Sequence, residues 1–283
     1  MMQSMTGYGQ SRHQNGELQI TVEIRSLNSK GLDLNLRLPS VYKDREMAWR
    51  KRVGEAAQRG KVEVNIYRER QNAMADTGLD KEWLQTAMSA LEDVAGEPLP
   101  KSEALALAMR MNAPQRTQVI EDAEWNTVES CIDDALVAFE VFRLREGQTL
   151  ADDLSEQLNA IQSRLDVIPS MEGERISRVK QRLQEALDGA GVEVNPERLE
   201  QELVLHLDKL DINEEKVRLA AHLDHFREAM TQAEGRKLGF IAQEIGREVN
   251  TLGSKANHAG MQREVVGMKE ALDKIKEQVL NVR

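Results

Sequence analysis

Cysteine is almost absent. The one thiol in 283 residues, Cys131, leaves no intramolecular disulfide possible, so the expected compartment is a reducing cytoplasm. Cys131 itself reads as a small buried residue rather than a nucleophile. No apolar run approaches the roughly 20 residues that cross a bilayer, and the N-terminus lacks the apolar stretch of a signal peptide; no membrane role is expected. Excess positive charge is also missing. A formal charge of −10 argues against a protein that coats nucleic acid nonspecifically, since such binding needs many Lys and Arg to neutralise phosphates, and any RNA site must be local. The charge is unevenly spread. Lys43 to Arg70 holds nine bases against five acids, whereas Val192 to Glu234 holds eleven acids against five bases. This polarity suits a basic part that handles a phosphate backbone and an acidic part that handles cations, and unequal solvated surfaces produce it equally well.

What is present is enough apolar content, 40%, to build a core in one large or two ordinary domains. The first seventy residues alternate with period two. Leu18, Ile20, Val22 and Ile24 share one face, as do Leu32, Leu34, Leu36 and Leu38, then Val62, Val64 and Ile66, which predicts half-buried strands. Lys43 to Ala57 lacks the alternation and reads as a helix ending near Arg59-Gly60. Asp80 to Val94 and Ser102 to Met109 read as helices broken by Gly96, Pro98 and Pro100.

Leu150, Leu154, Leu158, Ile161, Leu165 and Ile168 form a heptad seam, and Ile176, Val179, Leu183 and Leu187 resume helical spacing beyond Pro169, where a kink or turn is expected. Asn195-Pro196 opens another helix, running to about Leu210, and Asp211-Ile212-Asn213-Glu214 has the form of a capping box. Val265, Met268, Leu272, Ile275 and Val279 make a second seam. Two seams in an aromatic-poor chain suggest helix pairing and subunit pairing. The expected fold is α+β: a small antiparallel sheet with helices at the N-terminus (1–140), a long helical arm (141–190) and an all-helical C-terminal domain (191–283).

Chemistry is sought first in residues 235–255, GRKLGFIAQEIGREVNTLGSK. Glu244, Arg247, Glu248, Thr251 and Lys255 fall on one side of this helix, away from an apolar stripe. Two carboxylates one turn apart with cations beside them could hold a divalent metal and a phosphate; a solvated face with Arg247 shared between the glutamates has the same spacing. On the preceding helix, Asp211, Glu215, Arg218, His222 and His225 flank an apolar stripe. They include metal-ligand types, and capping, an i,i+3 ion pair and a satisfied histidine explain them as well.

QE-x-x-RE-x-NT followed by SK, the N-terminal SMTGYG and the segment RSLNSKGLDLNLRLP together resemble the YicC-like endoribonuclease family, over essentially the whole chain. Glu202, Asp211, Glu214, Glu215, Arg218 and His222 match that family's middle motif. The resemblance implies an endoribonuclease that cuts single-stranded or structured RNA with a divalent cation, Mn²⁺ or Mg²⁺, inside a ring-like homo-oligomer, a hexamer. Asp211, Glu215, His222, Glu244 and Glu248 are then the expected metal ligands, and His222, Glu244 and Glu248 the catalytic groups. His222 is chosen as general base because an unperturbed imidazole titrates near pH 6.5. Expected RNA contacts are Arg25, Asn28, Lys30, Arg59, Lys61, Arg236, Lys237, Arg247 and Lys255, through phosphate oxygens for the cations and a base edge or 2′-hydroxyl for Asn28. Without the resemblance, the first five are solvent-facing strand-end groups. The competing expectation is a non-catalytic RNA-binding adaptor that presents RNA to another nuclease; a coiled-coil scaffold without RNA affinity is a third. The chain departs from the family pattern at Gly239, Gly246, Ser29 and Lys30, where the family usually has Asp, Asn and a His-Arg pair.

Overall fold

The structure is a computed structural model that describes residues 2–70, 81–111, 120–190 and 196–283. Strands β1 (Gly7–Asn15), β2 (Leu18–Leu27), β3 (Leu32–Arg37) and β4 (Gly60–Arg70) form one sheet in the order β1-β2-β4-β3. Gly16, at φ 59°, supplies the positive φ that the two-residue turn from β1 to β2 requires. Alternation places Ile20, Val22, Ile24, Leu36, Val62, Val64 and Ile66 on the buried face.

The sheet is mixed rather than wholly antiparallel. β1 with β2 and β2 with β4 are antiparallel, but β3 runs parallel to β4. A short 3₁₀ turn, Ser40–Arg45, and helix α1 (Glu46–Ala57) intervene between β3 and β4, and a parallel pair needs such a crossover. β1 escapes the period-two pattern because its buried positions are Gly7 and Gly9, flanked by Ser11. A Cβ on Gly7 would overlap the Phe139 ring, and one on Gly9 the Ala135 carbonyl, so bare backbone is what lets this strand lie against the helix beside it.

That helix, α4 (Asp122–Ala190), is 69 residues long, or about 100 Å at 1.5 Å per residue. Its first turns close the sheet with Val128, Cys131, Ile132, Ala135 and Phe139, against Trp49 and Val53 of α1. Helix α4 passes through the expected division at 140/141 without a break and continues through Pro169, so the chain does not turn there. Cys131 is fully buried and its thiol is pushed up by burial, in keeping with a packing role. At the sheet's margin Tyr42 Oη and Arg68 Nε both donate to Glu124 Oε1, at 2.6 and 2.8 Å.

Helices α2 (Lys81–Ala95) and α3 (Lys101–Ala108) make a small cluster around Leu84, Ala87 and Ala108; the expected start at Asp80 lies outside the described residues. Helix α5 (Pro196–Lys209) follows, its expected cap Asn195 also lying outside them. Helices α6 (Asn213–Gln232) and α7 (Gly235–Lys255) form an αα-hairpin, with Ala233 in the left-handed region at φ 56° closing α6. The start of α6 is not a capping box: Asp211 Oδ1 accepts from the Asn213 N–H, the cap position is Ile212, and Glu214 turns outward to pair with Arg218.

Helix α8 (Ala259–Val279) completes a bundle with α4, α6 and α7. The two heptad seams belong to one core. Leu154, Leu158, Ile161 and Ile168 of α4 are buried in the same cluster as Val265, Met268, Leu272 and Ile275 of α8. Both seams are therefore satisfied inside one chain and provide no subunit interface, which corrects the expectation drawn from their spacing.

The chain's two ends meet. Met5 N donates to Asn281 O at 2.8 Å, Arg283 N to Gln3 O at 3.0 Å, and buried Arg143 donates from Nε to Ser4 O at 2.7 Å. The SMTGYG segment thus ties the sheet, α4 and the C-terminal tail together. Among the described residues no helix is long and apolar enough to cross a membrane.

Candidate functional site

The α6–α7 hairpin sets the geometry of the charged stripe. Its apolar residues, Leu219, Leu223 and Phe226 on α6 and Leu238, Ala242, Ile245, Val249 and Leu252 on α7, are all buried, which turns each helix about its axis by burial alone. Glu244, Glu248 and Lys255 are left half-buried along the edge that faces α6, with Arg247 and Thr251 exposed beside them.

One contact joins the two helices there. Lys255 Nζ donates to Glu215 Oε1 at 2.7 Å. Glu215 is only 6% exposed, its Oε2 has no partner, and burying a carboxylate this deeply is tolerated because the ammonium neutralises it. Glu215 therefore holds a lysine, where the sequence led us to expect a metal ligand.

From this pair, the positions of the other groups follow by counting. His222 is seven residues further along α6 and Glu248 seven residues back along α7, and seven residues is two turns less about 20°. In an antiparallel hairpin the two therefore lie at the same level on facing edges. Glu248 is half-buried and has no ion pair among the described residues, whereas Glu244 is held by Arg247 Nη1 at 2.9 Å. His222 stands edge-on to His225, ring centres 6.4 Å apart.

The five expected metal ligands are not gathered. Asp211 is spent on its turn, Glu215 on Lys255 and Glu244 on Arg247. Among the described residues no three His, Cys, Asp or Glu side chains are grouped to hold a metal ion. The physical reason is that hairpin packing sets Lys255 against Glu215 and Arg247 against Glu244, so these two carboxylates meet a cation before another carboxylate. As described, the donors do not fit a complete single-chain metal centre.

The expected RNA contacts separate into three groups. Arg25 lies over the Tyr8 ring, 5.5 Å from its centre, and pairs with Glu23; Lys30 and Lys61 are exposed nearby. Asn28 is exposed, and its Nδ2 donates to Leu280 O, which ties it to the C-terminal tail. Arg59, Arg236 and Lys237 come together at the far end of α7 with Arg283 and Phe240, two residues that sequence reasoning missed, in a groove of about 650 Å³. Their only signal in the sequence was a position in the C-terminal tail and a phenyl group off the apolar stripe of α7.

Gly246, where the family usually has Asn, lies buried against Leu272 Cδ2, which a Cβ would approach to 3.3 Å. Glycine lets α7 and α8 cross closely here.

Comparison with known proteins identifies relatives of the whole chain. The family description "Endoribonuclease YicC-like, N-terminal region" matches residues 2–152, and "Endoribonuclease YicC-like, C-terminal" matches residues 161–283. The chain is 28% identical, over 298 aligned residues and 99% of both chains, to a protein of Clostridioides difficile (strain 630) named probable endoribonuclease YicC. It is also 28% identical, over 286 residues and 100% of both chains, to a protein of the same name from Haemophilus influenzae. With one match ending and the next beginning within α4, and with both of the joined ends reached, the chain belongs to the YicC-like endoribonuclease family.

Proposed function

We propose that the chain is an endoribonuclease that cleaves phosphodiester bonds in single-stranded or structured RNA. The observation that carries the reading is the Glu215–Lys255 ion pair, because it brings the LDINEEK segment of α6 against the QE-x-x-RE-x-NT and SK segment of α7. The half-exposed edge beside it, with His222 level with Glu248, is where the chemistry is placed.

In this reading His222 accepts the proton of the attacking oxygen. Glu248, level with it on the facing edge of α7, positions the ring. Lys255 and Arg247 face the phosphate, with Glu215 acting as a positioning residue for Lys255. Arg25, Lys30 and Lys61 hold more distant phosphates as point charges or forks. A divalent ion, Mn²⁺ or Mg²⁺, stays part of the proposal by family resemblance alone. The described donors do not assemble its site.

The reading also includes a homo-oligomer, a hexamer by resemblance. Its contacts are assigned to α5, because Val204 and Leu205 are each 56% exposed while both heptad seams are buried. A reducing cytoplasm suits the single buried thiol.

The test is purified protein with end-labelled RNA, with EDTA and with Mn²⁺ added back. Ion-dependent internal cleavage that is lost in His222→Ala supports the reading. RNA binding without cleavage under every condition replaces it with the adaptor reading.

A further inference from the structure

We propose that the groove at the N-terminal end of α7 is a nucleotide-binding subsite for RNA, set apart from the place of cleavage, which grips a phosphate with Arg59 and Arg236 and stacks the attached base on Phe240. The proposal rests on the reading of the protein as an RNA-cleaving enzyme, and adds a second contact point to it.

Three separate parts of the chain build the groove. Arg59 comes from the turn before β4, Arg236, Lys237 and Phe240 from the first turns of α7, and Arg283 from the tail that pairs with the N-terminal segment. Four cations face one acid, Glu234, which is already paired with Lys237 at 3.1 Å. Arg59 is fixed by its Nε bond to Ser29 O at 2.9 Å, which leaves the outer nitrogens of its fork for a ligand. Arg236 is exposed, and no hydrogen bond or ion pair holds its side chain among the described residues.

Behind the groove the guanidinium of Arg143 lies near that of Arg283, with Glu140 as the acid that acts on both. Arg143 is 2% exposed and pushed down to about 10, first by burial and then by the nearness of Arg283. Burial also lowers Arg283. Two guanidinium groups that repel each other beneath a basic groove favour an anion in front of them.

Phe240 specifies what the anion is attached to. At 68% exposure it is the most exposed aromatic ring among the described residues, and it stands beside these cations in the groove. A phenyl face next to a phosphate grip accepts any base, because every base has a π-face. The volume of about 650 Å³ is large enough for one nucleotide.

The groove is distinct from the proposed centre. From Arg236 to Glu248 is twelve residues of helix, about 18 Å, or roughly five stacked nucleotides at ~3.4 Å each. It therefore acts as an anchor upstream or downstream of the scissile bond, and its loss should raise KM while leaving kcat nearly unchanged.

The experiment measures binding without cleavage, using full-length protein in EDTA titrated with 5′-AMP and with inorganic phosphate. Circular dichroism checks that each variant is folded. The expected result is that both ligands bind and compete. Phe240→Ala should weaken 5′-AMP about 5- to 100-fold and leave phosphate affinity unchanged, while Arg236→Gln weakens both. Failure of 5′-AMP to saturate, or 5′-AMP affinity indifferent to Phe240→Ala, overturns the subsite. Because no RNA is cut in this assay, its failure is separable from failure of the nuclease reading: cleavage with no 5′-AMP binding removes the subsite alone. Bound 5′-AMP whose affinity responds to both substitutions upholds it.

Discussion

Lys255 Nζ lies 2.7 Å from Glu215 Oε1 and ties the polar edges of α6 and α7 at the end far from their turn. Since Glu215 is almost fully buried, the pair is sensitive to loss of either member alone. We expect Lys255→Met to cost about 3 kcal/mol, because it strands a buried carboxylate. Glu215→Leu with Lys255→Met should recover most of that loss. Urea midpoints at constant m-value measure both, and a double mutant as unstable as the single one would mean that the pair is not the cause.

The two α7 glutamates should differ in effect. Glu248 has no cation partner among the described residues and sits level with His222, whereas Glu244 is neutralised by Arg247. Glu248→Gln is expected to lower kcat by about 10²- to 10³-fold, and Glu244→Gln by less than tenfold. Equal and small effects in single-turnover cleavage would return the stripe to a solvated face.

Assembly and folding should separate cleanly by position. Leu272→Asp with Ile275→Asp buries carboxylates in the bundle core and is expected to unfold it, costing several kcal/mol at each site. Val204→Asp with Leu205→Asp alters an exposed face and should yield a helical, smaller species. Light scattering and circular dichroism on the same samples decide. A folded, dissociated Leu272/Ile275 variant would show that the α8 seam serves the assembly after all.

Acid should weaken the N-terminal part through Glu124. Burial opposes ionisation of its carboxyl, yet the hydrogen bonds from Arg68 and Tyr42 outweigh burial and hold it below the usual carboxylate range. A depressed folded pKa contributes stability above the unfolded value, near 4.5, and that contribution disappears as pH falls through the folded value. Glu124→Gln should therefore cost about 1.5–3 kcal/mol at neutral pH, with the difference from the parent shrinking below about pH 4.5. A gap that stays constant down to acid pH would assign the loss to packing.

Local periodicity made much of the fold legible. The faces of β2, β3 and β4, the helix before Gly60 and the stripes of α6, α7 and α8 were all readable, because alternation at two or 3.6 residues records which side meets the core. β1 was not legible, since the residues it buries are glycines chosen for the closeness of Phe139 and Ala135. The parallel placement of β3 was hidden for a related reason: half-buried strands show the same alternation in either direction.

The candidate site divides in the same way. Sequence by itself determined which residues share a helix face, so the stripe of Glu244, Arg247, Glu248 and Lys255 and the flank of Glu215 and His222 were available from spacing, and the long motifs placed the chain in its family. Only tertiary structure decided who meets whom. It paired Glu215 with Lys255 instead of an ion, turned the two heptad seams against each other instead of outward, and carried Arg283 across the chain to join Arg59 and Phe240. The reason is that a helix face is set by bonds among neighbours a few residues apart. The register between helices and the meeting of the two ends are set by the shapes of buried side chains from tens to more than two hundred residues apart, to which no local pattern is sensitive.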